Sequence, residues 1–516
     1  MLRQEIKNLI GKAIKELYKT EAEVLVERPE NKEYGDYSTN IALLLKKNPQ
    51  EIANTIKSPV LEKVEVKNGF INFFVSEEYL QKQVSEILKQ KESFGQLKIG
   101  RGRKINVEFC SANPNGPLHV GNARGGFCGD VLSNVLAKAG YKPYREYYVN
   151  DRGRQIKFLK DTLEGNIVYK NEYTEELIRK GEKNVKKAVN YIVGRIKKTT
   201  ERMGIKFDKW FFESDLYPKE VNQVLDFLKK NNLIYEKEDA VWFKSTQFGD
   251  DKDRVLVRAQ EKTTYEEETY LLSDVAYLKN KFKRGFENLV IFLGAEHHGY
   301  INRLKAAAEA LGFSRDRVKP IVFQLVRLIE DGHEVKMSKR TGNFVTIDEL
   351  IDEVGLDAAR FFFLSRAADT HLNFDLALAK EQSEKNPVYY VQYAHTRICG
   401  ILRKFGKFEI RNPKSLPIRQ AGEILKLLTH PSESSLIKEL IRLPEIIEDT
   451  AKDYQVQRLP KYATDLAVVF HQFYRDCRVI SENKELTQAR LALTLATQIV
   501  LKNALGLMGI SAPEKM

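Results

Sequence analysis

The sequence predicts a multidomain chain, with a small α/β unit first, then a parallel-sheet α/β core carrying insertions, then an all-α C-terminal bundle. Three observations carry that reading. At 516 residues the chain is too long for one hydrophobic core. Near residue 105 a short alternating strand runs into a Gly/Pro loop and then into a long helix, the unit that opens an α/β sheet. From about residue 375 onward the apolar spacing is helical, without a convincing strand.

The first unit spans residues 1–98. Residues 1 to about 45 read as helical, broken near Pro29 and by the turn-rich stretch 33–37. Val64 and Val66 flank Glu65, and Ile71 and Phe73 flank Asn72, so each run alternates as a strand does. Asn68-Gly69 between them is a hairpin turn signal. A helix is expected over 76–92. The second unit spans 99–374. Ile105, Val107 and Phe109 alternate in a strand, a loop follows through Asn113, Pro114, Asn115, Gly116 and Pro117, and a helix runs from Gly121 to about Ala139. That helix would bury Phe127, Val131, Leu132, Val135 and Leu136. Such a strand–loop–helix suits nucleotide binding, because the helix N-terminus presents free N–H groups to phosphate. Residues of about 165–260 read as an insertion with Lys-rich helical stretches such as 180–203. Further strands are expected at 289–294 and across 321–329. The third unit, 375–516, is read as a helical bundle, and its apolar tract Ala489–Ile510 as a packed helix rather than a membrane span, since Arg490, Gln498, Lys502 and Asn503 interrupt it.

Composition narrows the class. A hydrophobic share of 42% and a charged share of 30% fit a folded, water-soluble protein. Lys plus Arg exceeds Asp plus Glu, 84 against 71, and the net charge of +13 favours a polyanionic partner. The four cysteines show no C-x-x-C spacing, so neither a zinc site nor a disulfide framework is expected, and the reducing cytoplasm is the expected compartment. The amphipathic N-terminus lacks the apolar region of a signal peptide.

Two segments carry the chemistry. The first runs Ser111-Ala-Asn113-Pro-Asn-Gly-Pro-Leu118-His119-Val-Gly121-Asn122, where a strand gives way to a helix. His119 can donate to a phosphate oxygen there, and Gly121 allows close approach of a nucleotide. The second is Lys336-Met337-Ser338-Lys339-Arg340, between Gly332 and Gly342, whose two lysines and serine can stabilise charge developing on a leaving pyrophosphate. In this order and separation the two segments resemble the HIGH and KMSKS signatures of class I aminoacyl-tRNA synthetases.

Glu213, after Trp210-Phe-Phe, and Tyr270 and Asp274, four apart and so on one helix face, suit a guanidinium. Its planar fork matches carboxylates as an ammonium does not. The segments GDYSTNIAL, SANPNGPLHVGNARG, EYYVNDRGRQI, FGDDKDRVLVR, GAEHHGYINRLKAA, EVKMSKRTGNFVTIDELI and NPVYYVQYAHTRI resemble arginyl-tRNA synthetases, and the match covers essentially the whole chain. The resemblance implies a tRNA-elbow-binding N-terminal domain, a Rossmann-type catalytic domain and a helical anticodon-binding domain. It implies that Ser111 and Asn113 hold the α-amino and carboxylate end of L-arginine, and that Glu213, Tyr270 and Asp274 hold its side chain, with His297 a further polar contact. It implies an ATP site formed by Leu118, His119, Gly121, Asn122, Gly294, Glu296, Lys336, Met337 and Lys339, with His119, Asn122, Lys336, Ser338 and Lys339 acting in catalysis.

Two departures from the family pattern matter. Asn122 replaces the second signature histidine and cannot carry charge. Many family members lack the main lysine of the second signature and carry one upstream of the first, whereas this chain keeps Lys336 and Lys339 and has Gly116 upstream.

The expected reaction is activation of arginine with ATP, followed by transfer to the 3′-terminal adenosine of tRNA(Arg), with the first step needing bound tRNA. Magnesium is expected to arrive with ATP, and no protein-bound metal is expected. In the bundle, Tyr389, Tyr393, His395 and Arg397 are candidates for contact with anticodon bases. A monomer with no membrane association is expected. Two alternatives stand at this point: a related synthetase charging another amino acid, and a paralogue that holds RNA without catalysis.

Overall fold

The structure, a computed structural model, describes residues 1–258, 269–335, 345–405 and 418–516, with only the backbone described at 405 and 418–421. The second signature, Lys336, Met337, Ser338, Lys339 and Arg340, lies outside the described residues.

The N-terminal unit places a helix, Leu2–Tyr18, with a three-stranded antiparallel sheet of Tyr37–Thr39, Leu61–Lys67 and Phe70–Val75. The expected hairpin forms as read. Asn68 (φ 54°) and Gly69 (φ 81°) both take the left-handed conformation that a two-residue turn between twisted strands requires. Tyr37–Thr39, read from sequence as part of a broken helical stretch, is instead an edge strand of this sheet. Helix Glu77–Gln90 follows, capped by the Ser76 hydroxyl, which accepts from the Tyr79 N–H.

The central unit is built on a five-stranded sheet of β1 (Lys104–Glu108), β2 (Lys142–Val149), β3 (Lys209–Phe212), β4 (Asn288–Gly294) and β5 (Val318–Phe323). All pairings are parallel and the order is β5-β4-β1-β2-β3. Helix α1 (Val120–Lys138) follows β1 and buries Phe127, Val131, Leu132, Val135 and Leu136, and α2 (Tyr270–Lys283) covers the other face. The strand order reverses between β1 and β4, and a sheet wound in this way opens a crevice at the carboxyl ends of those strands.

Two expectations are corrected here. Lys209–Phe212 lies inside the stretch read as an insertion, yet it is the edge strand of the main sheet, pairing with Glu146–Val149 of β2. Four residues are too few to show a period. The added material that surrounds it includes helix Val185–Arg202 and a separate antiparallel sheet of Ile234–Lys237, Ala240–Phe243 and Arg254–Val257. The run 321–329 is not one strand. It breaks at Gln324, whose carbonyl accepts from the Arg124 guanidinium (2.9 Å) and whose N–H donates to Ala368 O (2.9 Å). Val326–Glu330 then joins a second sheet with His333–Val335 and Leu372–Asp375.

The C-terminal part is helical, with α3 (Pro387–Phe405), α4 (Arg458–Asp476) and α5 (Lys484–Met508) prominent. By length and composition alone α5 could cross a membrane, but most of it is buried inside the bundle. The fully buried Arg360 ties the units together. Its guanidinium donates to Met508 O (2.7 Å) at the end of α5, to Met203 O (2.7 Å) after helix Val185–Arg202, and to the carboxylate of Asp130 on α1. At the far side the N-terminal unit docks on the bundle through Arg3 with Glu448 and Asp449 (2.7 Å each) and Lys438 with Asp36 (2.7 Å).

Replacing Arg360 by Met removes the main partner of the Asp130 carboxylate, leaving it only the longer Arg145 pair (3.5 Å), and strands two carbonyls in the interior. A cost of about 3–5 kcal/mol is expected, read as a lower urea midpoint, whereas loss of the exposed Lys15–Glu21 pair should leave the midpoint unchanged.

Candidate active site

The carboxyl ends of β1 and β4 carry the first signature and the Gly294–Tyr300 turn. At the exit of β1 two non-glycine residues take left-handed backbone, Cys110 (φ 69°) and Ser111 (φ 33°), an uncommon conformation that turns the chain sharply. Neighbouring β2 holds this turn. The Ser111 hydroxyl accepts from the Tyr148 N–H (3.1 Å), and the Tyr147 hydroxyl donates to Ala112 O (2.9 Å). Asn113 is partly buried, and its carbonyl accepts from the Asn115 N–H (2.8 Å). At Gly116 a Cβ would meet the Asn171 amide nitrogen at 2.9 Å, and that nitrogen donates to Asn115 O (2.8 Å). A side chain at position 116 would therefore collide with Asn171.

His119 is the N-cap of α1. Its Nδ1 accepts from the Gly121 N–H (3.1 Å), while the Asn122 side-chain oxygen accepts from the His119 N–H (3.2 Å), closing a capping box. Desolvation by the surrounding protein lowers the His119 pKa, with the charge of Glu296 opposing. An acceptor role at Nδ1 leaves the proton of the neutral ring on Nε2. Asn122 thus completes a cap without charge, and Gly121 serves His119, because a Cβ there would sit 2.9 Å from the imidazole. The Leu118 side chain is buried in the core, and its carbonyl accepts from the Ile347 N–H (3.0 Å). Val345 O accepts from the Val120 N–H (3.3 Å), and Val335 pairs with Leu328. The described residues on either side of the second signature are thereby anchored, the later ones beside His119.

Across the crevice, Glu296 folds back over Gly294, where a Cβ would lie 2.5 Å from its carboxylate oxygens. His297 Nε2 lies 3.5 Å from Glu296, and its ring meets Tyr300 edge-on at 6.4 Å.

The acidic residues collect behind this crevice. Glu213 is buried immediately after β3. With its amide oriented to satisfy both neighbours, Asn150 after β2 donates to Glu213 Oε2 (2.8 Å) and to Arg152 O (3.1 Å). Asp151 accepts from the N–H (2.9 Å) and hydroxyl (2.6 Å) of Ser214, locking the two loops together. Asp274, one turn into α2, accepts from the Tyr300 hydroxyl. Burial pushes the Asp274 carboxyl up to about 7, opposed by the Tyr300 hydrogen bond and raised further by the charges of Glu213 and Glu108. Deeper down the charges are matched: Glu108 pairs with the fully buried Lys281, and Glu146 with Arg284. Tyr270 opens α2 and is exposed at the rim, its hydroxyl near Gly153. The structure thus brings Glu213, Asp274 and Tyr270 to one end of the sheet, and joins His297 to Asp274 through Tyr300. Residue types and spacing do not single out Tyr148, Asn150 or Tyr300. Only their place in the segments EYYVNDRGRQI and GAEHHGYINRLKAA points toward them.

In the bundle, Tyr393 and Arg397 share a partly open face of α3. The guanidinium donates to the Tyr393 hydroxyl (2.8 Å) and lies 4.4 Å from the ring centre of Tyr474 on α4. Tyr389 is partly buried on the same helix. His395 departs from the expectation of a base contact. It is buried, with Nδ1 2.9 Å from Pro513 O, because its position on α3 faces the C-terminal segment. Among the described residues no group of three or more His, Cys, Asp or Glu could hold a metal.

Comparison with known proteins finds family matches along most of the chain. The family model described as "Arginyl tRNA synthetase N terminal domain" matches residues 4–75, "tRNA synthetases class I (R), catalytic domain" matches 83–179 and 168–369, and "DALR anticodon binding domain" matches 391–516. The arginine–tRNA ligase of Heliobacterium modesticaldum is 42% identical over 95% of this chain and 93% of its own length. That of Bacillus subtilis is 41% identical over 100% of this chain and 98% of its own. The Thermus thermophilus arginyl-tRNA synthetase structure superposes with a TM-score of 0.81 at 22% identity, covering both chains fully, and so shares the fold.

The raised Asp274 sets a pH dependence. Its carboxyl sits above the ordinary carboxylate value, so the ligand-free protein loses stability as pH rises toward about 7. A guanidinium that binds the ionised form must displace that proton below 7. Its affinity should therefore rise up to ~10-fold per pH unit to about 7 and level off above. Calorimetry in buffers of different ionisation enthalpy should show proton release at pH 6 and none at pH 8.5.

Proposed function

The chain belongs to the arginyl-tRNA synthetase family, and on that premise we propose how its own residues do the work. It is an ATP-dependent class I ligase that joins arginine to tRNA. One observation carries the assignment of the amino-acid pocket. Burial and the charge of Glu213 push the Asp274 carboxyl up to about 7, and a bound guanidinium would relieve it. Two carboxylates on different elements suit a planar fork that spreads its charge over several N–H donors.

In this reading Glu213, Asp274 and Tyr270 hold the arginine side chain, and Ser111 and Asn113 at the strained exit of β1 hold its α-amino and carboxylate end. His297 acts on the pocket through Tyr300. The arginine carboxylate then faces the start of α1. It attacks the α-phosphate of ATP, giving arginyl-adenylate and pyrophosphate. His119 offers its Nε2–H to a phosphate oxygen as a neutral donor, and the N–H groups of the first turn of α1 add their partial positive charge. Gly121 and Asn122 keep that imidazole in place. Gly294, Glu296 and the Leu118 backbone line the ATP side, and magnesium comes with the nucleotide, held by its phosphates and water. Lys336 and Lys339, with Ser338 and Met337, supply positive charge and polar contacts to the phosphates. This is catalysis by positioning and electrostatics rather than by a covalent enzyme nucleophile. The terminal adenosine of tRNA(Arg) takes the arginine from the adenylate.

The division 1–98, 99–374 and 375–516 assigns the tRNA elbow, the chemistry and the anticodon to successive units. Tyr393 and Arg397, with Tyr389 nearby, form the aromatic and cationic face offered to anticodon bases. The protein is read as a cytoplasmic monomer.

ATP–pyrophosphate exchange tests the reading. Exchange is expected with arginine when tRNA(Arg) is present and with no other amino acid. Exchange with arginine in the absence of tRNA would keep the pocket and remove the requirement for tRNA in the first step. Exchange with a different amino acid alone would overturn the roles of Glu213, Tyr270 and Asp274.

A further inference from the structure

The side chain of Tyr148 lies close enough to Glu213 and Asp274 for both charges to act on its phenol. Its backbone N–H is held by the Ser111 hydroxyl (3.1 Å). Its ring packs against Tyr277 of α2 (4.6 Å between centres) and stacks over Phe211 of β3 (6.3 Å, 11°). These contacts fix the phenol on the α2 face of the sheet. Its hydroxyl oxygen is buried and has no hydrogen-bond partner of good geometry. Ser273, the residue beside Asp274, commits its own hydrogen to Tyr270 O (3.0 Å). The charges of Glu213, Asp274 and Glu108 all act on the phenol and, with burial, hold its pKa well above the ordinary value. It therefore stays a neutral O–H throughout the working pH range.

A buried hydroxyl without a partner costs roughly 1–3 kcal/mol unless a ligand or water completes it. A guanidinium has five N–H donors and no acceptor. One oxygen of Asp274 already accepts from Tyr300, and Glu213 Oε2 already accepts from Asn150. An additional acceptor between the two carboxylates is what such a ligand lacks.

We infer that Tyr148 is a specificity-determining residue for arginine, its phenolic oxygen accepting one guanidinium N–H on the pocket floor between Glu213 and Asp274. The inference rests on the arginine pocket proposed above. The phenol's own hydrogen then turns toward a carboxylate. Lysine, with three donors on a single nitrogen, needs this acceptor less, so Tyr148 widens the gap between the two amino acids.

Tyr148→Phe removes only the oxygen. Thermal melts of the full-length wild type and Y148F, each without ligand, with arginine and with lysine, give the test, alongside KM and kcat for charging. In the wild type, arginine should raise the melting temperature and lysine should not. In Y148F the ligand-free melting temperature should stay or rise, because an unsatisfied oxygen has gone, while the arginine-induced rise shrinks. KM for arginine should increase ~10-fold with kcat little changed. A ligand-free melting temperature that falls, with the arginine-induced rise intact, would show a structural hydroxyl bonded to Ser273 and overturn the inference. An unchanged arginine KM would overturn it too. If arginine fails to stabilise even the wild type, the pocket reading itself falls, and Tyr148 with it.

Discussion

The structure turns on one carboxyl, Asp274, that burial and neighbouring acids hold back from ionising at the carboxyl edge of a parallel sheet. Asp274 sits near 7 because burial and neighbouring carboxylates oppose its ionisation. One layer deeper the same chemistry is settled internally, with Lys281 against Glu108 and Arg284 against Glu146. That contrast gives the site direction. Cations built into the chain hold the sheet and α2 together, while Asp274 above them is held back from ionising. Breaking an internal pair would leave an uncompensated charge in the interior, so the framework under the pocket resists rearrangement.

Around that pocket the fold supplies fixed reference points. The switch between β1 and β4 opens the crevice, the left-handed backbone at Cys110 and Ser111 turns the chain across it, and β2 clamps the turn through Tyr147 and Tyr148. At the start of α1, a capping box holds one imidazole in one tautomer. An asparagine in the second signature position is sufficient for this, since the cap needs an acceptor and not a charge. The chain that resumes at Val345 is hydrogen-bonded beside His119, although more than two hundred residues of sequence separate them. Arg360 carries this rigidity outward, since it binds α1, the inserted helix and the end of α5 at once.

Much of this was legible in the sequence where local chemistry decides structure. Asn68-Gly69 dictates its hairpin, and the strand–loop–helix from Lys104 to Lys138 follows from periodicity and from a helix start that matches a signature. What escaped depends on contacts distant in sequence. Lys209–Phe212 is a strand only because β2 offers it a parallel edge. The apolar run 321–329 is cut by Arg124, about two hundred residues earlier, reaching the Gln324 carbonyl. His395 carries a nucleic-acid-like signal in its aromatic and basic neighbours, but its helix face is claimed by the segment at Pro513. Glu213 and Asp274 were singled out by family resemblance more than by residue type, and the contacts of Tyr148 and Asn150 with them depend on strand ends that meet only in the fold.

The account stands on Asp274 binding the guanidinium as an anion, and the Asp274→Asn variant examines that most directly. The change keeps the shape and removes the charge. Steady-state charging should show kcat/KM for arginine reduced by about 100-fold, in line with the loss of a charge-assisted hydrogen bond. At pH 8 the ligand-free variant should melt at the same temperature as the wild type or higher, because a carboxylate that resists ionisation has been removed. Unimpaired charging by a stably folded Asp274→Asn variant would contradict the account and place the guanidinium elsewhere.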